Sequence, residues 1–485
     1  MKANRIRTGM LALVVISGCS AAGADGDSME AGEEAEAIYS PTTILNPPIE
    51  HFKYGSIGAD KLGLPVSLFK AIPIVCADTL PAGTNPKKQP LSAYGLIYEN
   101  GHDLPIGFSK RRILGIDLVG NNCSVCHTNT VRETPSAART MYFGAPAIRF
   151  DIESYQNFLV GCINDPSRFN TTKLNHAFDE LGVYGLERIL AFKSSFIRAF
   201  LRDSTTKVAS VVRDGPWGPG RDDAIGLSGA LLLGSEFIPT KAAPVDFPAV
   251  WNQKARHGHA LHWDGAAGSA RERNILVAVG AGTPKDGVPI ESLDAVQTFL
   301  DGLAAPKYPF AIDQKLASQG SQIFQARCNS CHGGSRTFDV LPLADIKTDP
   351  NRVLSVSQAG IDKMNSLSGA GWTFSQFKKT NGYVNNLLDG IWLRAPYLHN
   401  GSVPTLRALL EPPASRPKTF YRGNDVYDQK DAGFVSTVAF DGNVQYVQFD
   451  TSRQGNSNGG HFGTAYGTDL TDADRDALLE YLKTL

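Results

Sequence analysis

Two short stretches of the sequence combine the residue types that attach a haem covalently. Their chemistry-bearing residues are Cys123, Cys126 and His127 in the first stretch, and Cys328, Cys331 and His332 in the second. In each Cys-x-x-Cys-His pattern, two thiols can form thioethers with the two vinyl groups of one porphyrin, and the histidine can bind the iron. A disulfide or half of a zinc site also uses Cys-x-x-Cys, but neither needs the histidine or explains two copies. We therefore expect two covalently bound haem c groups.

The second axial position of each iron determines whether the haem only transfers electrons or also binds a small molecule. Beyond the N-terminal region the methionines are Met141 and Met364, and neither has a spacing typical of an axial ligand. Histidine is therefore expected. For the second haem the candidates are His399 and His461. Glycines flank His461 and would let its backbone approach the porphyrin, so we favour His461 as the ligand and His399 as a neighbour of the haem.

Three histidines lie close together between the two motifs, at positions 257, 259 and 262. They could form a metal site, or one could face a haem while two are exposed. Because no helix or ribbon scaffold is predicted for them, we do not expect an additional metal. His262 could instead close the first iron as its sixth ligand.

The N-terminus predicts export. Basic residues precede an apolar segment at 10–16, which ends in Ile-Ser-Gly-Cys at 16–19, a pattern that resembles the lipobox of bacterial lipoproteins. We predict a signal peptide over 1–18, a lipidated Cys19, a flexible tether over 19–45, and a periplasmic or outer-membrane location. An ordinary signal peptide with a chance cysteine is the alternative.

Two of the seven cysteines have neither role. In an oxidising compartment Cys76 and Cys162 could form a disulfide, or they could be buried free thiols. The net charge of −1 predicts no strongly basic surface, so we expect no nucleic-acid partner.

The elements that must hold the motifs are predicted to be mainly helices. Periodicity indicates helices at 152–159, 173–201, 315–327 and 472–485, whereas frequent prolines predict no helix before about residue 92. In the third helix, Gly320 would allow a close crossing with the last helix, and Phe324 would pack near the haem. Arg111 and Arg112, ahead of the first motif, could reach haem propionates or remain solvated.

We therefore predict a mainly α fold with long loops and two cytochrome c-like haem domains. Residues 46–310 would hold the first haem and residues 311–485 the second haem, with a linker near 305–312.

Several further motifs make the chain resemble the di-haem cytochrome c peroxidase superfamily, and within it the rubber-oxygenase-like branch. They are Phe247-Pro248, Trp251-Asn252, the run 262–265 (His-Trp-Asp-Gly), the run 396–402 and Gly460-His461-Phe462-Gly463. The resemblance covers residues 90 to 485. It implies that the second haem passes electrons and the first meets the oxidant. It also implies that His127 and His332 are proximal ligands, that His461 is the distal ligand of the second haem, and that Trp263 lies between the haems as an electron relay.

One departure from the family pattern concerns the chemistry. Classical members carry a distal glutamate beyond the Trp-Asp-Gly, but residues 274–282 contain no acid or base. Peroxide cleavage needs a group that moves a proton, so the stretch favours an apolar, oxygen-binding pocket. We predict an oxidoreductase that uses peroxide or dioxygen at the first haem and receives electrons from a redox protein or small donor, with Trp263 and His262 in the active site. The alternatives are a pure electron-transfer cytochrome and a haem sensor or assembly lipoprotein.

Overall fold

The computed structural model describes residues 42–113, 115–185, 188–189, 201–202 and 205–485. The predicted signal peptide, Cys19 and most of the tether lie outside these residues, as does much of the helix predicted up to residue 201. Within the described ranges, no helix combines the length and the apolar character needed to cross a bilayer.

The α-helices are short and spread along the chain. Among the described residues with given bounds, those in the N-terminal part are α1 (Pro48–Tyr54), α2 (Val66–Val75), α3 (Ile152–Asn164), α4 (Thr171–Leu181), α5 (Ala224–Ser228), α6 (Ala270–Gly280) and α7 (Ile290–Gly302). The others are α8 (Gln314–Arg327), α9 (Asn329–His332), α10 (Leu343–Ile346), α11 (Asn351–Leu354), α12 (Gln358–Asn365), α13 (Leu406–Leu409) and α14 (Asp472–Leu482).

The strands form small antiparallel sheets. One sheet has three strands in the order β1 (Leu64–Pro65), β3 (Ile116–Asn121) and β2 (Phe108–Ile113). The two-stranded sheets are β4 (Thr128–Val131) with β5 (Thr140–Phe143), β6 (Arg221–Asp222) with β7 (Val245–Asp246), β8 (Val340–Pro342) with β11 (Gly382–Val384), β9 (Ser368–Gly369) with β10 (Trp372–Thr373), β12 (Thr419–Arg422) with β17 (Val447–Asp450), β13 (Tyr427–Asp428) with β14 (Gly433–Phe434), and β15 (Phe440–Asp441) with β16 (Val444–Gln445).

The predicted fold class is wrong. The structure is 39% helical and 14% strand, with many small sheets, so it is not a mainly α protein. It also gives no support for two cytochrome c-like domains, because the cavity at the first haem motif is lined by residues from both predicted halves, including Arg352 and Arg394. Many of the strands are only two residues long, which is too short for alternating polar and apolar residues to identify them from the sequence.

The N-terminal part of the described chain contains two helices, α1 and α2, where none was predicted. Pro48 is compatible with α1 because it occupies the first turn, where the backbone N–H has no partner within the helix. Helix α2 contains Pro73 but buries most of its residues in the largest apolar core. Its burial therefore outweighs the unfavourable effect of the proline.

A disulfide between Cys76 and Cys162 connects the end of α2 to α3. Both cysteines are buried in the same apolar core. Since three residues of α3, Ile152, Tyr155 and Gln156, line the cavity at the first haem motif, the disulfide anchors one wall of that cavity.

The predicted pairing of the helix before the second motif with the last helix is confirmed. Helices α8 and α14 cross at Gly320, where a Cβ atom would overlap the carbonyl oxygen of Ala477. The ring of Phe324 packs on Tyr481 with centroids 5.1 Å apart. The crossing places the second Cys-x-x-Cys-His motif directly at the end of α8.

Candidate functional site

The first motif borders a cavity of about 420 Å³. The cavity walls include Cys123, Cys126 and His127, and both cysteines are free thiols. Burial raises the pKa of each thiol, so both are protonated at neutral pH. Two unpaired thiols and one imidazole on the wall of a large cavity are the groups that covalent haem attachment requires.

Hydrogen bonds from Asn122 shape the turn that carries the first motif. Its side-chain oxygen accepts from the backbone N–H of Ser124 at 2.9 Å, and its amide donates to the carbonyl of Gly55 at 2.8 Å. Strand β3 therefore ends in a turn of fixed geometry, and the two thiols leave it on the cavity side.

The imidazole of His127 is held in the form that an iron ligand needs. Its Nδ1 lies 2.9 Å from the carbonyl oxygen of Pro248, which can only accept, so Nδ1 carries the proton and Nε2 has a free lone pair. Burial lowers the pKa of His127 to about 4, so the ring is neutral at physiological pH.

Arginines form much of the polar wall of this cavity. They are Arg256, Arg273, Arg352 and Arg394. Nη1 of Arg352 and Nε of Arg394 are buried and have no hydrogen-bond partner. Because buried donors are almost always paired, these two N–H groups fit the carboxylates of a haem, which would bind to them through charge-assisted hydrogen bonds. Arg111 and Arg112, which sequence reasoning considered for this role, instead pair with Asp60 and Asp117.

Sequence reasoning missed an acid on the cavity wall, Asp222. It lies on β6 opposite Val245, and its Oδ1 is buried without a hydrogen-bond partner. Burial and the neighbouring carboxylate of Asp223 raise the pKa of Asp222 to about 7. The residues of 274–282 that line the cavity are largely apolar or small, as predicted, but the carboxyl group reaches the cavity from a different element.

His262 and Trp263 both line the cavity. His262 has a left-handed backbone (φ 67°), and burial lowers its pKa to about 4. The two histidines close to it in the sequence do not line the cavity. His257 is 3.0 Å from the carboxylate of Asp301, and the ring of His259 stacks on Phe338. The three histidines therefore have three separate environments.

The second motif lies where α8 ends and α9 begins. His332 donates from Nδ1 to the carbonyl oxygen of Asn386 at 3.0 Å, which leaves its Nε2 available, as in the first motif. The ring centroids of His332 and His461 are 6.5 Å apart. Metal–nitrogen bonds of about 2 Å on either side of one ion would separate two imidazole centroids by roughly 6 Å.

Both rings of this pair are neutral at physiological pH. Burial lowers the pKa of His332, and burial together with His332 lowers that of His461 to about 3. Neutral imidazoles at this separation fit the two axial positions of one haem iron.

His399 occupies a different position from His461. Its ring is buried and stacks on Tyr383 with centroids 3.9 Å apart, and its carbonyl accepts from the backbone N–H of Asp246 at 2.9 Å. It therefore lies beside the segment that connects Trp263 to the first motif.

Trp263 connects the two motifs through hydrogen bonds. Its Nε1 donates to the carbonyl of Asp246 at 2.7 Å. Two residues further along the chain, the carbonyl of Pro248 accepts a hydrogen bond from His127. The backbone carbonyl of Trp263 accepts from the N–H of Val384 at 2.8 Å. Two residues further along the chain, the carbonyl of Asn386 accepts a hydrogen bond from His332. A continuous path of two short backbone segments and one indole thus runs between the motif histidines.

Comparison with known proteins supports the haem interpretation. A family model described as RoxA-like, cytochrome c-like matches residues 382–421, which include β11, Asn386 and His399. Two uncharacterized proteins of Sinorhizobium fredii are also similar. The protein y4iM is 32% identical over 289 residues, covering 51% of this chain and 66% of its own length. The protein y4iJ is 27% identical over 558 residues, covering 93% of this chain and 87% of its own length. Residues 382–421 are therefore similar to RoxA-like cytochromes, and a cytochrome c-like segment implies covalently bound haem c.

Proposed function

We propose that the protein is an exported c-type cytochrome with two haems, which acts as an oxidoreductase on dioxygen or peroxide. The observation that carries this proposal is the difference between the two motif histidines. His332 faces a second imidazole at 6.5 Å, whereas among the described rings no histidine stands opposite His127 in the same way. His127 instead borders the cavity of about 420 Å³. Bound haem would supply one-electron chemistry and a site for a diatomic molecule.

The residues around the first cavity have three tasks in this proposal. The Pro248 carbonyl orients His127 and keeps its Nε2 unprotonated. Arg352 and Arg394 pair with the haem propionates through their unpaired buried N–H groups. Leu276 and Ala281 contribute apolar surface to the cavity wall.

Asp222 holds a proton at the cavity wall. Its unpaired oxygen and raised pKa make the carboxyl group able to donate a proton near neutral pH, so a proton source lies on the wall of the same cavity as His127. Peroxide and dioxygen therefore both remain substrates of the proposal.

Trp263 is the proposed route for electrons between the sites. Its indole is the one side chain in the hydrogen-bonded path from His127 to His332, and it lines the first cavity. The second site, with His332 and His461, receives electrons from a redox protein or small donor.

The proposal is tested by the axial ligation of each haem. Protein made with haem-attachment machinery should contain two c-type haems by the pyridine haemochrome assay. Electron paramagnetic resonance of the oxidised form should show one low-spin bis-histidine iron and a second, different iron. His461→Ala should abolish the bis-histidine signal, while the matched variant His399→Ala should retain it. Two bis-histidine signals in the wild type would contradict the proposal.

A pure electron carrier is the second candidate, and the position of His262 favours it. This ring is neutral and on the wall of the first cavity, so it could close the first iron. In that case His262→Ala would create a ligand-binding haem that the wild type lacks.

We also propose that lipidated Cys19 anchors the protein to a membrane on the periplasmic side, with the following residues as a tether. The motivation is the Ile-Ser-Gly-Cys sequence at 16–19. Cys19→Ser should move the protein from the membrane to the soluble fraction, and mass spectrometry of an unlipidated wild type would contradict the anchor.

A further inference from the structure

We propose that Arg416 is a positioning residue that holds the loop 458–461 in place, so that His461 can reach the iron of the second haem. This inference rests on the proposed function, in which His461 is an axial ligand.

The guanidinium of Arg416 donates five hydrogen bonds, all to backbone carbonyls. The residue is 2% exposed. Nε donates to Glu411 at 3.0 Å, Nη1 to Asn458 at 2.6 Å and Gly460 at 2.9 Å, and Nη2 to Leu409 at 3.2 Å and His461 at 3.0 Å. All five N–H groups of the side chain are therefore used. Three of the five bonds go to the loop that carries His461.

The loop needs such support because its backbone is unfavourable. His461 has φ 47°, a left-handed conformation that residues with a Cβ rarely adopt. Gly460 has φ 75°, and a Cβ there would overlap backbone atoms of Ile346, Lys347 and Thr348. The N–H of His461 donates to the carbonyl of Ile346 at 2.9 Å. The ring position of His461 is thus determined by backbone contacts on one side and Arg416 on the other.

The charge of Arg416 gives a second argument. Arg352 and Arg394 pair with Asp264 and Asp389, but among the described residues no carboxylate pairs with Arg416. An unpaired buried cation is costly, and an apolar side chain would fill the space at a lower cost. The rigid fork of five donors is what arginine offers here and other residues do not. The arrangement of its five hydrogen bonds, rather than an ion pair, therefore explains why an arginine occupies this position.

The imidazole of His461 makes no compensating bond of its own. Its Nδ1 is buried and has no hydrogen-bond partner, whereas Nδ1 of His332 is held by Asn386. The orientation of the His461 ring therefore depends on its contact with Tyr466, at 4.7 Å between ring centroids, and on its backbone, which Arg416 holds.

The test uses full-length holoprotein carrying Arg416→Gln or Arg416→Lys. Each variant should retain both haems by pyridine haemochrome. In Arg416→Gln the second iron should lose its low-spin spectrum, and carbon monoxide binding to the reduced protein should rise from one to two per chain. Added imidazole should restore the low-spin spectrum, and a circular dichroism spectrum that matches the wild type should show that the variant is folded. Arg416→Lys, with three donors, should give an intermediate carbon monoxide stoichiometry.

The matched control is Arg407→Gln, since Arg407 pairs with Asp431 and Asp476 near the surface and makes no bond to the loop. It should leave the spectrum unchanged. If Arg416→Gln and Arg416→Lys both keep the wild-type spectrum and stoichiometry, the inference is wrong. If Arg416→Gln does not fold, the Arg416→Lys result alone decides. Failure of the proposed function itself would look different, because His461→Ala would then leave the spectrum of the second haem unaltered.

Discussion

The Cys76–Cys162 disulfide should contribute strongly to the stability of the first haem site. The bridge links residues 86 positions apart. In the chain-entropy treatment, closing a loop of that length in the unfolded chain amounts to about 4–5 kcal/mol at 25 °C. Since the whole free energy of unfolding of a domain is about 5–15 kcal/mol, losing the bridge should lower stability by a large fraction.

The change to make is the double variant Cys76→Ala/Cys162→Ala, which leaves no unpaired thiol behind. Guanidinium unfolding followed by haem absorbance should show a lower midpoint for the variant. Helix α3 contains Cys162 and lines the first cavity, so loss of the bridge should loosen this wall. The spectrum of the first haem should therefore change before that of the second.

Two results would refute this reasoning. One is an unchanged unfolding midpoint in the double variant. The other is alkylation of both cysteines in native, unreduced wild-type protein, which would mean that the bridge does not form. Haem thioethers are carbon–sulfur bonds and do not react with alkylating reagents. The number of alkylated cysteines therefore reports on Cys76, Cys162 and Cys19 only.

Two further predictions concern the first cavity. In Asp222, the folded-state pKa of about 7 lies above the ordinary 3.8, so the native protein keeps a proton that the unfolded chain releases. The stability of the wild type relative to Asp222→Asn should therefore fall as pH rises from about 4 to 7, by up to roughly 4 kcal/mol, and parallel pH profiles would contradict this. Trp263→Phe should slow electron exchange between the haems after flash photolysis without loss of either haem. Trp372→Phe, which alters a buried indole that donates to Lys285, should leave the exchange rate unchanged.

The haem-attachment residues could be predicted from the sequence because covalent attachment requires its groups at adjacent positions. Cys123 and His127, like Cys328 and His332, are only four residues apart, so the chemistry is visible without a fold. The proximity of His461 to His332 could be anticipated from its flanking glycines, of which Gly460 has a left-handed backbone and lies close to neighbouring backbone atoms.

Much of the cavity wall could not be predicted, because it comes from distant parts of the chain. Asp222 lies in a two-residue strand, and Arg352 reaches the first cavity from beyond the second motif. In the sequence each looks like an ordinary surface charge. Their role depends on burial and on missing partners, which only the packed structure reveals.

The predicted fold class differs from the structure for a related physical reason. Helical periodicity is readable over three or four turns, as in α8 and α14, whereas pairs of strands such as β6 and β7 are too short to carry a pattern. Prolines near α1 predict loop in the sequence, although the first turn of a helix accepts proline.

Carbon monoxide binding to the reduced protein tests the central claim most directly. The account predicts two haems per chain and one carbon monoxide, bound at the haem held by His127, because His461 occupies the corresponding position at the other haem. Titration by difference spectroscopy, with the pyridine haemochrome assay giving the haem count, measures this ratio. A ratio of one carbon monoxide to two haems supports the account. Binding at neither haem, followed by binding in His262→Ala, would contradict it and identify the protein as an electron carrier.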